Sequence, residues 1–66
     1  MGNNMLFLYR RRSGMRQLDL ARKLGISEQT ISGYETGRVE VTIERAVDIA
    51  RIIHADPKEV FPTLFK

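Results

Sequence analysis

The sequence predicts an all-α domain of five short helices, and three observations predict it. Apolar residues recur at three- and four-residue spacing, with no alternating strand pattern, internal repeat or low-complexity segment. Good capping residues precede several of these stretches, and Gly14, Gly25 and Gly37 close the first three. The links between stretches are only about two to five residues long, as in a small helical domain.

The first helix is expected to start near Asn4, a good cap, and to run to about Ser13, with Gly14 stopping it and Leu6 and Tyr9 on one face. The second runs from about Gln17 to Leu24, where Leu20, Ala21 and Leu24 form a buried stripe, and Gly25 closes it. Ile26 and the cap Ser27 separate it from the third helix, Glu28 to about Thr36, anchored inward by Ile31 and Tyr34 and ended by Gly37. After the linker Arg38 to Val41, Thr42 caps a fourth helix in which Ile43, Val47, Ala50 and the Ile52-Ile53 pair recur at helical spacing as far as His54. Asp56-Pro57-Lys58-Glu59 then reads as a cap with proline at the first helical position, opening a short fifth helix through Val60 and Phe61 before Pro62. Residues 62–66 are expected to be a tail.

The third helix is unusual for a surface helix. Glu28, Gln29, Thr30, Ser32 and Gly33 give it a broad face of short polar groups, and a glycine inside a helix costs roughly 1 kcal/mol against alanine. Such a glycine marks either a tolerant site or a place where something comes close.

Sixty-six residues allow one domain, residues 1–66, with no room for a second, ligand-sensing one. The absence of cysteine removes disulfides, thiolate metal sites and cysteine nucleophiles, and the single histidine, His54, cannot build a metal site alone. No nucleophile has a base beside it, no carboxylate pair stands in an acid/base arrangement, and the glycines form no phosphate loop. We therefore expect no enzyme, no metal, no cofactor and no small-molecule ligand. The one apolar run, Met5 to Tyr9, is too short to span a membrane and its arginines follow it, unlike a signal peptide. A soluble protein of the cytoplasm, with no membrane partner, is the expectation.

Net charge is +3, unevenly divided. Between Arg10 and Arg38, seven basic residues face three acidic ones; from Val39 onward, four basic face five acidic. The positive field sits on the half that holds the unusual helix, which suits a polyanion. Solubility alone also explains a modest excess of this kind.

A short helix, a tight turn containing a glycine, and a second short helix with an apolar inner edge and a polar outer face form a helix-turn-helix over about residues 17–36. Spanning it, GMRQLDLARKLGISEQTISGYETGR resembles the core of the Cro and lambda-repressor type of regulators, the XRE family. Arg10, Gly14, Gln17, Leu20-Ala21, Gly25, Ser27, Thr30-Ile31-Ser32, Glu35 and Gly37 carry the resemblance without a gap. TIERAVDIARII and DPKEVF resemble the family's fourth and fifth helices, so the likeness covers about residues 4 to 61.

The resemblance implies a compact, five-helix, lambda-repressor-like domain that binds double-stranded DNA, with the third helix in the major groove. Ser27, Glu28, Gln29, Thr30, Ser32 and Gly33 are then candidates to face bases. Short side chains let the helix sit deep, and Gly33 would bring backbone near the groove wall. The amide of Gln29 matches the N6 and N7 groups of adenine; the alternative is a glutamine facing solvent. Glu28 is repelled by phosphate unless it accepts from a cytosine N4 group or folds back on the helix start.

Arg16, Gln17, Thr36 and Arg38 occupy candidate phosphate positions, Arg16 standing where the family usually has a Ser or Thr cap. Arg11, Arg12, Arg22 and Lys23 read as a solvated face. The resemblance further implies a structural ion pair between Arg10 and Glu35 and a left-handed helix cap at His54. Phe7, Phe61, Leu64 and Phe65, with Leu8, are candidates for a homodimer interface; burial of Phe61 within one chain is the alternative for that residue. The function implied is a transcriptional repressor on a palindromic operator, in a prokaryotic or phage setting and associated with the nucleoid. A protein-docking or antitoxin-type module on the same scaffold is the rival reading.

Overall fold

The computed structural model describes residues 4–65; residues 1–3 of the expected domain and Lys66 of the expected tail lie outside them. Five helices follow in order: α1 (Leu6–Arg12), α2 (Gln17–Leu24), α3 (Glu28–Thr36), α4 (Ile43–Ile52) and α5 (Pro57–Val60). Among the described residues there is no strand, and no helix is long and apolar enough to cross a membrane.

The helix starts follow the capping chemistry of their residues. Ser27 accepts from the Thr30 amide at 3.2 Å, Thr42 from Arg45 at 3.1 Å, and Asp56 from Lys58 at 2.9 Å, each filling an amide that the helix cannot. Asn4 caps at one remove, because α1 begins one residue later than a cap at Asn4 implies. Its Oδ1 accepts from the Leu6 amide at 3.0 Å while its Nδ2 donates to the Tyr34 carbonyl at 2.9 Å, tying the entry of α1 to α3.

The ends of α1 to α4 obey one rule. Gly14, Gly25 and Gly37 all hold positive φ, and so does His54, at φ 56°. Behind His54 the Ala55 amide donates to the Ala50 carbonyl at 2.9 Å and the His54 amide to Arg51 at 3.3 Å, the two bonds of a Schellman motif. The left-handed cap stops α4 at Ile52, two residues short of the expected end.

Leu6, Leu20, Ala21, Ile31, Tyr34, Ala46, Ile49, Ile53, Val60 and Phe61 form one buried cluster to which every helix contributes. Two expectations need correction here. The buried stripe of α4 is Ala46, Ile49, Ala50 and Ile53, not one led by Ile43 and Val47. Ala46 is small enough to let α4 sit close, which rotates Ile43 to the edge, where it is 54 % exposed. Phe61, expected at a dimer interface, belongs to this chain's own core and is only 3 % exposed. Leu64 and Phe65 fold back against the same core and are half-buried.

Candidate nucleic-acid interface

The geometry of the site begins at the turn between α2 and α3. Gly25 takes φ 71°, and the Ile26 amide donates to the Ala21 carbonyl at 3.0 Å, closing α2 so that α3 can start two residues later. A Cβ at Gly25 would meet no atom within 4 Å, so the backbone angle, and not lack of space, calls for glycine there.

α3 is then fixed from its inner side. Arg10 of α1 is buried; its Nε donates to Glu35 Oε2, its Nη2 to Glu35 Oε1 at 3.4 Å, and its Nη1 to the Met15 carbonyl at 2.7 Å. The Arg10 and Glu35 side chains are each only 6 % exposed. Glu35 Oε1 also accepts from Gln17 Nε2 at 2.9 Å, so one carboxylate joins α1, α2 and α3. No buried polar side-chain atom among the described residues lacks a partner. A charge pair removed from water this far holds only when its remaining hydrogen-bonding atoms are also met, and here they are. Nothing in sequence spacing signals the bond from Gln17, whose half-buried side chain turns inward although its position suggested phosphate.

The candidate base-facing residues divide into two groups. Glu28 and Gln29 are exposed, and neither side chain makes a hydrogen bond among the described residues. Ser27 is occupied as the cap and lies 2.8 Å, oxygen to oxygen, from the half-buried Thr30 hydroxyl. Ser32 is half-buried at the side of the helix.

Gly33 is corrected. It is buried, and a Cβ built on it would lie 2.5 Å from Val39 Cγ2 and 3.1 Å from Val39 Cβ. The close approach that this glycine permits is to Val39 of the following linker, whose amide also donates to the Gly33 carbonyl at 3.1 Å.

Among the candidate phosphate positions, Arg38 is exposed and makes no ion pair among the described residues. Thr36 is exposed, but its hydroxyl turns back on α3, within reach of the Ser32 and Gly33 carbonyls at 3.0 and 3.3 Å. Arg16 grips Asp19, Nε to Oδ2 at 3.0 Å and Nη2 to Oδ1 at 2.9 Å, while its backbone amide also donates to Oδ2 at 2.9 Å. These bonds from Arg16, the side-chain ones foremost, hold the Asp19 carboxyl down at about 2. Only half of a capping box is present, because a guanidinium has no acceptor to offer the α2 amides. The start of α2 thus has no side-chain oxygen over it, and a groove of about 380 Å³ opens beside it, lined by Arg11, Arg16, Gln17 and Glu28.

On α1, Phe7 is 53 % exposed, with the Arg10 and Arg11 guanidinium carbons 5.5 and 5.4 Å from its ring centre. Met5 and Leu8 are exposed beside it in sequence.

Comparison with known proteins agrees with this geometry. A family model described as helix-turn-helix matches residues 6–60. The chain is also 36 % identical over 58 residues to an uncharacterized HTH-type transcriptional regulator of Methanocaldococcus jannaschii, covering 88 % of each chain. The short α2, the glycine turn, and an α3 held from within while its outer face stays polar are features of one motif, and the chain belongs to the XRE-type helix-turn-helix family of DNA-binding regulators.

Proposed function

We propose that this protein is a sequence-specific transcriptional repressor of the cytoplasm that lays α3 in the major groove of an operator. The observation that carries the reading is the contrast on α3: Glu35 is locked to two other helices, while Glu28 and Gln29 stand exposed with no partner among the described residues. A helix held this firmly presents its outer side chains in one geometry, which base readout requires. Gln29 reads adenine through N6 and N7, Glu28 either accepts from cytosine N4 or caps the helix start, and Ser27, Thr30 and Ser32 keep the surface low.

Arg38 and the uncapped start of α2 meet phosphates, with Thr36 beside them. Arg16 reaches the same strand when Asp19 releases it, and Gln17 contributes its backbone amide while its side chain stays on Glu35. Repression follows from occupancy, since a protein seated across a promoter excludes other proteins from it.

Two copies on a palindrome set their α3 helices about 34 Å apart, one turn of DNA. Of the apolar candidates for the interface between copies, Phe61 is withdrawn to the core, leaving Leu64 and Phe65 at the C-terminal side and Phe7 with Leu8 on α1. A groove of about 350 Å³ lined by Val41, Phe61 and Leu64 gives the C-terminal side a surface to receive a second copy.

The exposed Met5, Phe7 and Leu8 at the start of α1, followed by arginines, favour a second reading, in which the scaffold docks a protein and DNA binding is secondary. Titration of random duplex DNA at low and moderate salt separates the two. A DNA binder loses affinity linearly in log salt, with a slope near 0.9 per phosphate met, whereas a docking module binds little at either salt. Selection from a random DNA pool then gives the operator and its symmetry.

A further inference from the structure

Residue 33 is buried for a reason that lies outside its own helix. At about 100° per residue, position 33 falls some 40° from Gln29 and 60° from Thr36, and some 130° from the midline of Ile31 and Tyr34. It therefore belongs to the outer face of α3, yet it is buried. The cover is Val39: its Cγ2 would stand 2.5 Å from a Cβ at 33, and its amide is bonded to the Gly33 carbonyl at 3.1 Å. Val39 itself is 41 % exposed, and it also borders the groove lined by Val41, Phe61 and Leu64.

The isopropyl group of Val39 thus occupies the surface that a side chain on residue 33 would otherwise hold, one turn of α3 beyond Gln29. Val39 is branched at Cβ and hence stiff, and its backbone is tied to α3, so its side chain is placed about as firmly as one on the helix itself.

We infer that Val39, a residue of the linker, is a specificity determinant that recognises a thymine by its C5-methyl group. The inference rests on α3 being the reading helix. In the major groove the thymine methyl is the one apolar mark that an aliphatic side chain can recognise, and Val39 presents an aliphatic surface on the face that carries Gln29. One turn of helix is about 5.4 Å and one base step about 3.4 Å, so the thymine lies within about two base pairs of the base that Gln29 reads. Glycine at 33 is the condition for this arrangement, because any Cβ there displaces Val39.

The test begins with an operator selected from a random DNA pool by the full chain. Each thymine is replaced in turn by deoxyuridine, which removes only the methyl group. With the unaltered protein, one thymine per half-site should prove sensitive, losing about fourfold in affinity for the one buried methyl. Val39→Ala should weaken binding to the thymine operator and abolish the difference between thymine and deoxyuridine at that position alone. Gly33→Ala, which pushes Val39 aside, should reduce the same difference.

If the unaltered protein is indifferent to every deoxyuridine, or if Val39→Ala weakens thymine and deoxyuridine operators equally, Val39 is only a prop for the linker and the inference is wrong. The proposed function survives that result, since selection and salt dependence stand apart from it. A chain that selects no operator and shows no salt-dependent binding overturns both.

Discussion

The two sides of α3 differ in how fully their polar atoms are used. On the inner side, Glu35 accepts from Arg10 and Gln17, and Arg10 places its remaining reach on the Met15 carbonyl. On the outer side, Glu28 and Gln29 have no partner among the described residues, and Arg38 just beyond has none either. Saturation fixes the position of the helix, and vacancy leaves it free to recognise something else. The difference assigns inner substitutions mainly to stability and outer ones mainly to binding.

Breaking the inner side gives the largest effect. Glu35→Ala strands the Arg10 guanidinium in the interior and should cost roughly 3–5 kcal/mol, read as a lower urea midpoint at neutral pH. Replacing both partners at once, with Arg10→Met and Glu35→Leu, should cost clearly less than Glu35→Ala alone, because no charge is left behind. A double variant as unstable as the single one would mean that packing around the pair, and not its charge, holds α3.

Changing the outer side should leave stability alone and act on DNA. Gln29→Ala is expected to lose roughly 1–3 kcal/mol on the selected operator and little on operators already altered at the base pair that Gln29 reads, measured by titration against both. Equal loss on matched and mismatched operators would remove Gln29 from the readout. Arg38→Ala makes a smaller and different change. It should weaken all sequences alike and lower the magnitude of the log affinity against log salt slope by about one unit for each phosphate that the arginine neutralised. Persistence of the full slope would place Arg38 away from the backbone.

Read from the residues alone, the sequence shows what its local chemistry controls. The starts at Ser27, Thr42 and Asp56 and the left-handed Gly14, Gly25 and Gly37 are decided within a few positions along the chain, whereas the left-handed His54 and the pairing of Arg10 with Glu35 were legible only through the family resemblance. Packing between distant residues was harder to see. Val39 covers Gly33 from beyond the end of α3, and no periodicity of the helix foretells a neighbour from the linker. The register of α4 turns on Ala46, a residue that hydrophobic spacing counts for little but whose small size sets how close two helices come. The Gln17 side chain was assigned outward because family position favoured phosphate, while the Glu35 carboxylate, already in place for Arg10, offered it a partner within the protein.

The smallest effect belongs to a second arginine-carboxylate pair, Arg16 and Asp19, which has the same chemistry as the inner pair but lies in water. Its side chains are 73 % and 33 % exposed, so solvent screens the attraction, and removing either partner strands no buried charge. The Asp19 carboxyl nonetheless sits at about 2 in the folded protein against 3.8 for the free group. Because the folded value is depressed, its contribution to stability is complete above about pH 4 and disappears as pH falls through about 2. Asp19→Asn should therefore lower the urea midpoint slightly at pH 6, and the gap from the unaltered protein should close between pH 4 and pH 2. A gap that stayed constant across that window would show that the Asp19 charge contributes nothing. The same substitution releases the Arg16 side chain, so DNA affinity at low salt should rise slightly while the inner pair, untouched, keeps α3 in place. A fall in affinity would mean that Arg16 serves the start of α2 through Asp19 and does not reach phosphate.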